Sequence, residues 1–219
     1  INHTLEGTGK VTVQNNIFEG NVYQAIVTER DDTDIIGNYM ETSLDYAGYG
    51  IIVMDWGLRL QQRIQIVCNT ITGDPNGFAV GILLGDSGYL QRVRYVNIEN
   101  NTITANKVGI RVRGNRQTAI YTTINYNSIF DNDANGVENT RDRELDIERN
   151  WWGDISGPSG DGPGSGDRVS GLVDYEPMLM KPVDVSLCPS ACPPGDLDFD
   201  CDVDFFDFAI LAEDWLEGT

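Results

Sequence analysis

A short motif centred on asparagine recurs along the chain and constrains the fold more than any other feature. From the second copy onward, an isoleucine lies three residues before the asparagine and a large apolar residue lies two residues after it. The anchors are Asn15 or Asn16, then Asn38, Asn69, Asn101, Asn127 and Asn150. Because a repeat of 23 to 32 residues cannot bury its own apolar face, the spacing predicts repeats that stack on one another.

A second motif follows each asparagine after eight to twelve residues. In it a small residue precedes an aliphatic one, which is in turn Ile26, Ile51, Ile82, Ile110 and Val137. The neighbouring segments are short, β-branched and alternating, which is typical of strands. We therefore predict an all-β fold, a parallel β-solenoid of about six rungs spaced by ~4.8 Å. The asparagines are expected at the bends, with left-handed backbone and amides bonded from rung to rung. A row of sugar-binding asparagines is the alternative.

The segment NWWGDISGPSGDGPGSGDRVSGLVDYEPML, residues 150–179, resembles the closing segment of many bacterial β-helix proteins. With it, residues 9–185 resemble the right-handed parallel β-helix family, which includes pectate lyases. The resemblance implies a right-handed solenoid whose last rung is covered by Trp151, Trp152, Val173, Tyr175 and Met178. The glycine-rich loop of this segment either binds a cation or forms plain turns; its acids are Asp154, Asp161 and Asp167. We expect the β-helix over residues 1–152, its cap and loop over 153–187, and a separate unit over 188–219.

The C-terminal unit has nine acidic and no basic residues from Gly195 onward. A Ca²⁺ loop requires oxygen ligands at positions 1, 3, 5, 7, 9 and 12. These positions are filled by Asp196, Asp198, Asp200, Asp202, Asp204 and Asp207. The spacing therefore predicts one bound Ca²⁺, with a short helix following it. Apolar residues recur along that helix at helical spacing, as Phe206, Ile210, Leu211 and Trp215.

This unit resembles one half of a type I dockerin, the Ca²⁺-dependent docking module of extracellular bacterial assemblies. The resemblance implies metal ligation by the six aspartates and packing by the helix. Two features depart from the family: Phe199 and Cys201 occupy positions where dockerins have glycine, and a single repeat replaces the usual pair. Docking in cis, to another copy or to a different protein all remain open.

Cysteine usage indicates an oxidising compartment. Cys188, Cys192 and Cys201 lie in the tail and are the disulfide candidates, whereas Cys68 is remote in sequence. Four cysteines allow three pairings, and a metal thiolate site is the weaker alternative. We expect a bacterial protein that is exported to the cell surface or medium, as a mature segment of a longer precursor.

Net charge limits the partners that the chain can have. Its formal charge is −19, and no basic tract is present to neutralise phosphates, which argues against nucleic acid. No apolar run approaches the ~20 residues of a membrane span.

The outward-facing residues include no catalytic set that matches a family motif. The candidates are Asp31, Asp32, Asp34, Asp55, Trp56, Arg59, Arg63, Arg111 and Arg113. Rung alignment places Arg111 beside Glu138 and predicts an ion pair. The same alignment gives an outward aliphatic stripe of Val27, Ile52 and Leu83, which we expect a loop or another molecule to cover.

Three functions are compatible with these features. The first is a non-catalytic extracellular structural protein that assembles into oligomers or filaments. Head-to-tail contacts would use the aliphatic stripe and the tail helix, and another copy or a preceding domain would cover the N-terminal segment INHTLEGTGKVTV. The second is a fragment of a polysaccharide lyase or glycoside hydrolase. The third is a carbohydrate-binding surface module.

Overall fold

A computed structural model describes residues 10–29, 31–54, 63–73, 77–85, 93–114, 118–119, 121–184 and 188. In these ranges the backbone forms strands, turns and bends but no helix. None of the described segments is therefore a helix long and apolar enough to cross a membrane. The chain divides into two compact units, Ile1–Val185 and Ser186–Thr219, and every described strand belongs to the first.

Three sheets each take one strand from every turn of the chain. Sheet A contains β1 (Val11–Gln14), β4 (Thr33–Ile36), β7 (Ile64–Val67), β10 (Val96–Glu99) and β13 (Thr123–Asn125). Sheet B contains β2 (Ile17–Phe18), β5 (Tyr39–Thr42), β8 (Thr70–Gly73), β11 (Thr102–Thr104) and β14 (Ser128–Phe130). Sheet C contains β3 (Gln24–Thr28), β6 (Tyr49–Val53), β9 (Val80–Leu84), β12 (Val108–Val112), β15 (Asn135–Asn139), β18 (Gly166–Ser170) and β17 (Pro158–Gly160). Near the C-terminal end of the solenoid, β16 (Leu145–Asp146) pairs with β19 (Val173–Asp174).

All of these pairings are parallel. The chain passes from sheet A to sheet B to sheet C and then returns to sheet A one rung further on. Five such turns are complete. A sixth is partial and is marked by the backbone bridge between Ser128 and Trp151. The predicted all-β parallel solenoid is confirmed, with five full rungs and part of a sixth.

Inward-facing side chains form columns in each sheet, and one column in each follows the repeats of the sequence. The sheet A column is Val13, Ile35, Ile66, Ile98 and Ile124. The sheet B column is Phe18, Met40, Ile71, Ile103 and Ile129. The sheet C column is Ile26, Ile51, Ile82, Ile110, Val137 and Val169. Most of these side chains are fully buried, and each contributes about 1.5–3 kcal/mol through burial of apolar surface. The isoleucine columns expected from the repeats are therefore present.

The C-terminal cap lies on the last rung. Trp152 is fully buried in the main core, and Val173, Tyr175 and Met178 pack against that core from partly buried positions. Four of the five residues expected to cover the last rung are thus in place, whereas Trp151 is half-buried, lies outside the main core cluster and bridges Ser128 through its backbone.

An asparagine ladder, consisting of Asn16, Asn38, Asn69, Asn101, Asn127 and Asn150, runs along the bend between sheets A and B. From Asn38 onward, each Oδ1 accepts hydrogen bonds from the backbone N–H and the Nδ2 of the preceding rung's asparagine, at 2.8–3.0 Å. The ladder asparagines after Asn16 are at most 1% exposed. Their amides therefore bond within the solenoid and do not form a sugar-binding row, and the first anchor is Asn16 rather than Asn15.

The left-handed backbone at this bend lies one residue earlier than predicted. Positive φ angles occur at the residue before each ladder asparagine, namely Asn15, Gly37, Cys68, Asn100, Tyr126 and Arg149. The expectation of left-handed ladder asparagines was therefore wrong. This preceding residue makes the turn, and the asparagine supplies the amide that bonds the rungs together.

Candidate functional site

Several predicted site residues lie outside the residues that the structure describes. They are the Ca²⁺ ligands Asp196, Asp198, Asp200, Asp202, Asp204 and Asp207, the helix residues Phe206, Ile210, Leu211 and Trp215, and Asp55, Trp56, Arg59, Cys192 and Cys201. The calcium loop and the apolar helix face therefore stay predictions.

Both described cysteines, Cys68 and Cys188, are in disulfide bonds. The participation of Cys188 agrees with its choice as a disulfide candidate. Cys68 was not among those candidates, because nothing in its local sequence distinguishes it. It lies at the bend between sheets A and B, immediately before Asn69, with a φ of 59°.

The aliphatic stripe lies on the outer face of sheet C, where Val27, Ile52 and Leu83 are in register. Ile52 and Leu83 are only 2% and 5% exposed and pack with Val80 and Val108 in a second apolar cluster. Val27 is half-buried at the edge of that cluster. Whether the stripe also contacts another molecule stays a prediction.

The column continues beyond Leu83 with a charged pair. Arg111 lies opposite Leu83 on one side and opposite Glu138 on the other. Its guanidinium is 2.7 Å from the Glu138 carboxylate. This confirms the ion pair expected from the rung alignment.

The aspartates of the glycine-rich loop bond to separate partners. Asp154 accepts hydrogen bonds from the backbone N–H and the hydroxyl of Ser156, and these bonds lower the pKa of its carboxyl. Asp161 accepts a hydrogen bond from the Gly171 backbone N–H at 2.8 Å. Within the described ranges, no group of three acidic, histidine or cysteine residues is positioned to hold a metal ion. These contacts are those of a structural loop.

Asp167 ends a second ladder that the sequence analysis missed. This short ladder consists of Asn106, Asn132 and Asp167 and lies at the bend between sheets B and C. Asn106 donates from its backbone N–H to Oδ1 of Asn132 at 3.1 Å, and Asn132 donates from Nδ2 to Oδ2 of Asp167 at 2.7 Å. Burial raises the pKa of the Asp167 carboxyl to about 6, and Asp131 adds to the increase, although the hydrogen bonds from Asn132 oppose it.

A corner row, consisting of Asp32, Arg63, Tyr95 and Tyr121, lies where the chain enters sheet A. Each of its residues has a positive φ angle of 53–61°. Nε of Arg63 is 2.6 Å from Oδ1 of Asp32. The rings of Tyr95 and Tyr121 stack with their centroids 4.8 Å apart and an interplanar angle of 16°. Of the acids considered for catalysis, Asp32 is thus paired within this row.

A polar row, consisting of Gln65, Asn97 and Thr123, lies beside the corner row on the outer face of sheet A. Asn97 donates from Nδ2 to Oε1 of Gln65 at 2.9 Å, and Thr123 donates from its hydroxyl to Oδ1 of Asn97 at 2.7 Å. Together with Arg63, Tyr95 and Tyr121, these side chains line a groove of about 330 Å³.

The corner row could have been found from the repeats. Its members lie three residues before the inward isoleucines of sheet A, which are Ile35, Ile66, Ile98 and Ile124. The row consists of an acid, a base and two tyrosines, so no repeated residue type marks it in the sequence.

Five turns of three parallel sheets, closed by a C-terminal cap, define a parallel β-helix protein. A family model described as right handed beta helix region matches residues 4–157, and the chain belongs to that family. No curated protein and no solved structure matches the chain.

Proposed function

We propose that this β-helix is a non-catalytic structural protein, secreted by a bacterium, that assembles end to end outside the cell. The observation that carries the proposal is the position of the first-rung strands. In the described part of the chain, β1, β2 and β3 are the edge strands of sheets A, B and C at the N-terminal end of the solenoid. Edge strands offer N–H and C=O groups to which another chain can add.

Apolar surface at the same rung supports the proposal. A cavity of about 240 Å³ is lined by first-rung residues that include Val13, Phe18 and Ile26. Ile17, on the outer face of β2, is 71% exposed. A second copy that covered this rung would remove apolar surface from water as well as pair the strands.

Contacts between unlike ends generate filaments unless they close into a ring. The tail adds a Ca²⁺-dependent docking element, in which six aspartates hold the ion and the apolar face of the following helix contacts a partner protein or another copy. The disulfide bonds at Cys68 and Cys188 support an oxidising, extracellular setting.

The oligomeric state tests this proposal directly. We expect the intact chain at tens of micromolar, with Ca²⁺ present, to sediment as species much larger than the 24.2 kDa monomer. Ile17→Lys should weaken assembly, because it places a charge on the exposed first rung. The matched control is Thr72→Lys, since Thr72 lies on the same sheet in an inner rung, directly opposite Glu41. A monomer at all concentrations, or equal assembly of both variants, would overturn the proposal.

The competing function is a polysaccharide lyase or glycoside hydrolase, which the fold also accommodates. Incubation with acidic polysaccharide, followed by absorbance for unsaturated product and by a reducing-sugar assay, distinguishes the two. The proposed structural protein gives no signal in either assay, whereas turnover by the wild-type chain would favour the enzyme.

A further inference from the structure

The C-terminal end of the solenoid is covered by residues 172–179, called the terminal segment below, which follow the partial sixth rung. In the described part of the chain, its strand β19 pairs with β16 on one side only, and the first-rung strand β1 pairs only with β4. We propose that β19 of one copy pairs in parallel with β1 of the next, so that sheet A continues from copy to copy. The joint rests on the end-to-end assembly proposed above and supplies the surface that the first rung contacts.

The terminal segment has backbone groups on its open side. The N–H of Leu145 donates to the carbonyl of Leu172 at 3.1 Å, and the N–H of Ile147 donates to the carbonyl of Asp174 at 2.8 Å. Because successive residues of a strand direct their backbone groups to opposite neighbours, the N–H and C=O of Val173 point away from the sixth rung. They face the open end of the solenoid, where another strand can pair with them.

The open side of β1 carries complementary groups. The N–H of Val11 donates to the carbonyl of Asp32 at 2.9 Å, so the backbone groups of Val11 face the second rung and those of Thr12 face the open side. If Val173 lies opposite Val11, the Val173 N–H meets the carbonyl of Lys10, and the Thr12 N–H meets the carbonyl of Val173. This is the hydrogen-bond pattern of the parallel pairs within the solenoid.

The same register continues the inward column of sheet A across the joint. Tyr175 follows Val173 by two residues and Val13 follows Val11 by two residues, so Tyr175 lies opposite Val13. Tyr175 packs against the main core from a half-buried position, and Val13 lines the first-rung cavity of about 240 Å³. Pairing therefore covers both side chains and removes apolar surface from water.

The asparagine ladder ends in an open acceptor at this joint. Asn16 donates to Asn38, but its own Oδ1 accepts no hydrogen bond from the described residues. The N–H of Leu179 donates to the carbonyl of Asn150 at 3.0 Å, which places Met178 beside Asn150. In the proposed register Met178 lies opposite Asn16, so its backbone N–H meets the open Oδ1 as the ladder N–H groups do on the inner rungs.

The charges at the joint permit this register. The exposed acids of the terminal segment, Asp174 and Glu176, fall opposite Thr12 and Gln14, which are neutral. Like charges directly opposite each other oppose pairing, and none meet at these two positions. This register therefore avoids a local repulsion although the chain has a net charge of −19.

The last strand of sheet C is less suited to pairing with a second copy. Strand β17 begins at Pro158, and its pairing with β18 shifts register between Pro158 and Ser159. Proline and an irregular backbone are features that oppose strand addition at an edge. Strand β19 has neither feature, and its pairing with β16 is regular. The joint therefore forms through sheet A.

Proline substitutions block the two sides of the joint separately. Val173→Pro and Thr12→Pro each remove an N–H that faces an open end, so each leaves the hydrogen bonds within the chain in place. At concentrations where the wild type assembles, we expect each variant alone to sediment as the 24.2 kDa monomer. An equimolar mixture should form dimers and nothing larger, because each variant keeps one intact end.

The matched controls are Val173→Ala and Thr12→Ala, which keep the N–H groups and should assemble as the wild type does. Equal melting temperatures show that the proline variants are folded. A wild-type chain that stays monomeric overturns both the joint and the proposed function. If the wild type assembles and Val173→Pro assembles equally, or if the mixture forms no dimers, the β19–β1 joint is wrong while end-to-end assembly stands.

Cysteine cross-linking tests the register without proline. Thr12 and Asp174 are exposed and lie opposite each other across the joint, at a spacing of ~4.8 Å that a disulfide can span. Thr12→Cys combined with Asp174→Cys should give covalent oligomers on oxidation. Asp146 is one rung further from the joint in the same column, at ~9.6 Å from Thr12, so Thr12→Cys combined with Asp146→Cys should give none. Equal cross-linking of the two pairs, or none in the first, overturns the register.

Discussion

Asp167 accepts a hydrogen bond from Nδ2 of Asn132 at 2.7 Å and so occupies the position that an asparagine would fill on the next rung. The two side chains differ in charge rather than in shape. A carboxylate in this position is desolvated, and burial raises its pKa from 3.8 to about 6. The short ladder therefore ends in a group whose ionisation costs folding free energy at neutral pH.

This relationship predicts that stability changes with pH. Between about pH 4 and pH 6 the folded chain keeps a proton on Asp167 that the unfolded chain releases, so this contribution is complete below pH 4 and is lost as the pH rises through 6. Asp167→Asn should remove the dependence and raise the free energy of unfolding at pH 7 by on the order of 2 kcal/mol. Urea unfolding at pH 4.5, 6 and 7.5 measures the difference between the two proteins.

A control separates this effect from a general change in charge. Asp161 lies in the same glycine-rich segment and is exposed, and its carboxylate accepts a hydrogen bond from the backbone N–H of Gly171. Asp161→Asn should leave the difference between pH 4.5 and pH 7.5 as in the wild type. If Asp167→Asn also leaves it unchanged, the assignment of the titration to Asp167 is wrong.

The loss of unfolding free energy on replacing a ladder asparagine should depend strongly on how deeply that asparagine is buried. Asn101 is fully buried, and its Oδ1 accepts from both the backbone N–H and the Nδ2 of Asn69. Asn101→Ala leaves that buried N–H without its acceptor and should cost about 3 kcal/mol in the free energy of unfolding. Denaturant titration of the purified variant measures this loss.

Asn16 is the matched control, because it belongs to the same ladder but is exposed on the first rung. Asn16→Ala should cost about 0.5–1 kcal/mol, since water can replace the lost partner. Equal losses at Asn16 and Asn101 would contradict the view that burial of the ladder stabilises the solenoid.

The repeats made the core columns predictable because the interior imposes one requirement on every rung. Ile35, Ile66 and Ile98 all occupy the same buried position in sheet A, and only a similar apolar residue fits each time. The asparagine ladder was predictable for the same reason, since each amide must match the one on the next rung.

The corners were harder to predict because their side chains face water and no single residue type is required there. The corner row has a carboxylate at Asp32, a guanidinium at Arg63 and rings at Tyr95 and Tyr121, and these interact as neighbouring pairs. The short ladder was hidden in a similar way, because its last position has Asp167 in place of asparagine. A residue type that recurs at the same position of every rung therefore identifies buried, packed positions. It does not identify positions where neighbouring rungs have different residues that pair with each other.

The Arg111–Glu138 pair is expected to stabilise the fold only modestly. Both side chains are about one-fifth exposed, and partly exposed ion pairs contribute about 0.5–1 kcal/mol. A double-mutant cycle with Arg111→Ala and Glu138→Ala should give a coupling energy in that range, lower in 0.5–1 M salt. A coupling energy of zero at low salt would show that the ion pair does not stabilise the fold.

The predicted calcium loop should add helix to a fold whose described part is made of strands. The six aspartates between Asp196 and Asp207 should bind one Ca²⁺ and order a helix from about residue 206 to 216. The described part of the chain contains strands and no helix, so a gain of helical signal in far-UV circular dichroism on adding Ca²⁺ would come from outside it.

Asp196→Ala combined with Asp207→Ala should abolish both this gain and the Ca²⁺ uptake measured by calorimetry. Asp146→Ala combined with Asp161→Ala removes the same charge from exposed positions of the solenoid and should change neither. Unaltered uptake after loss of Asp196 and Asp207 would place the metal at other residues.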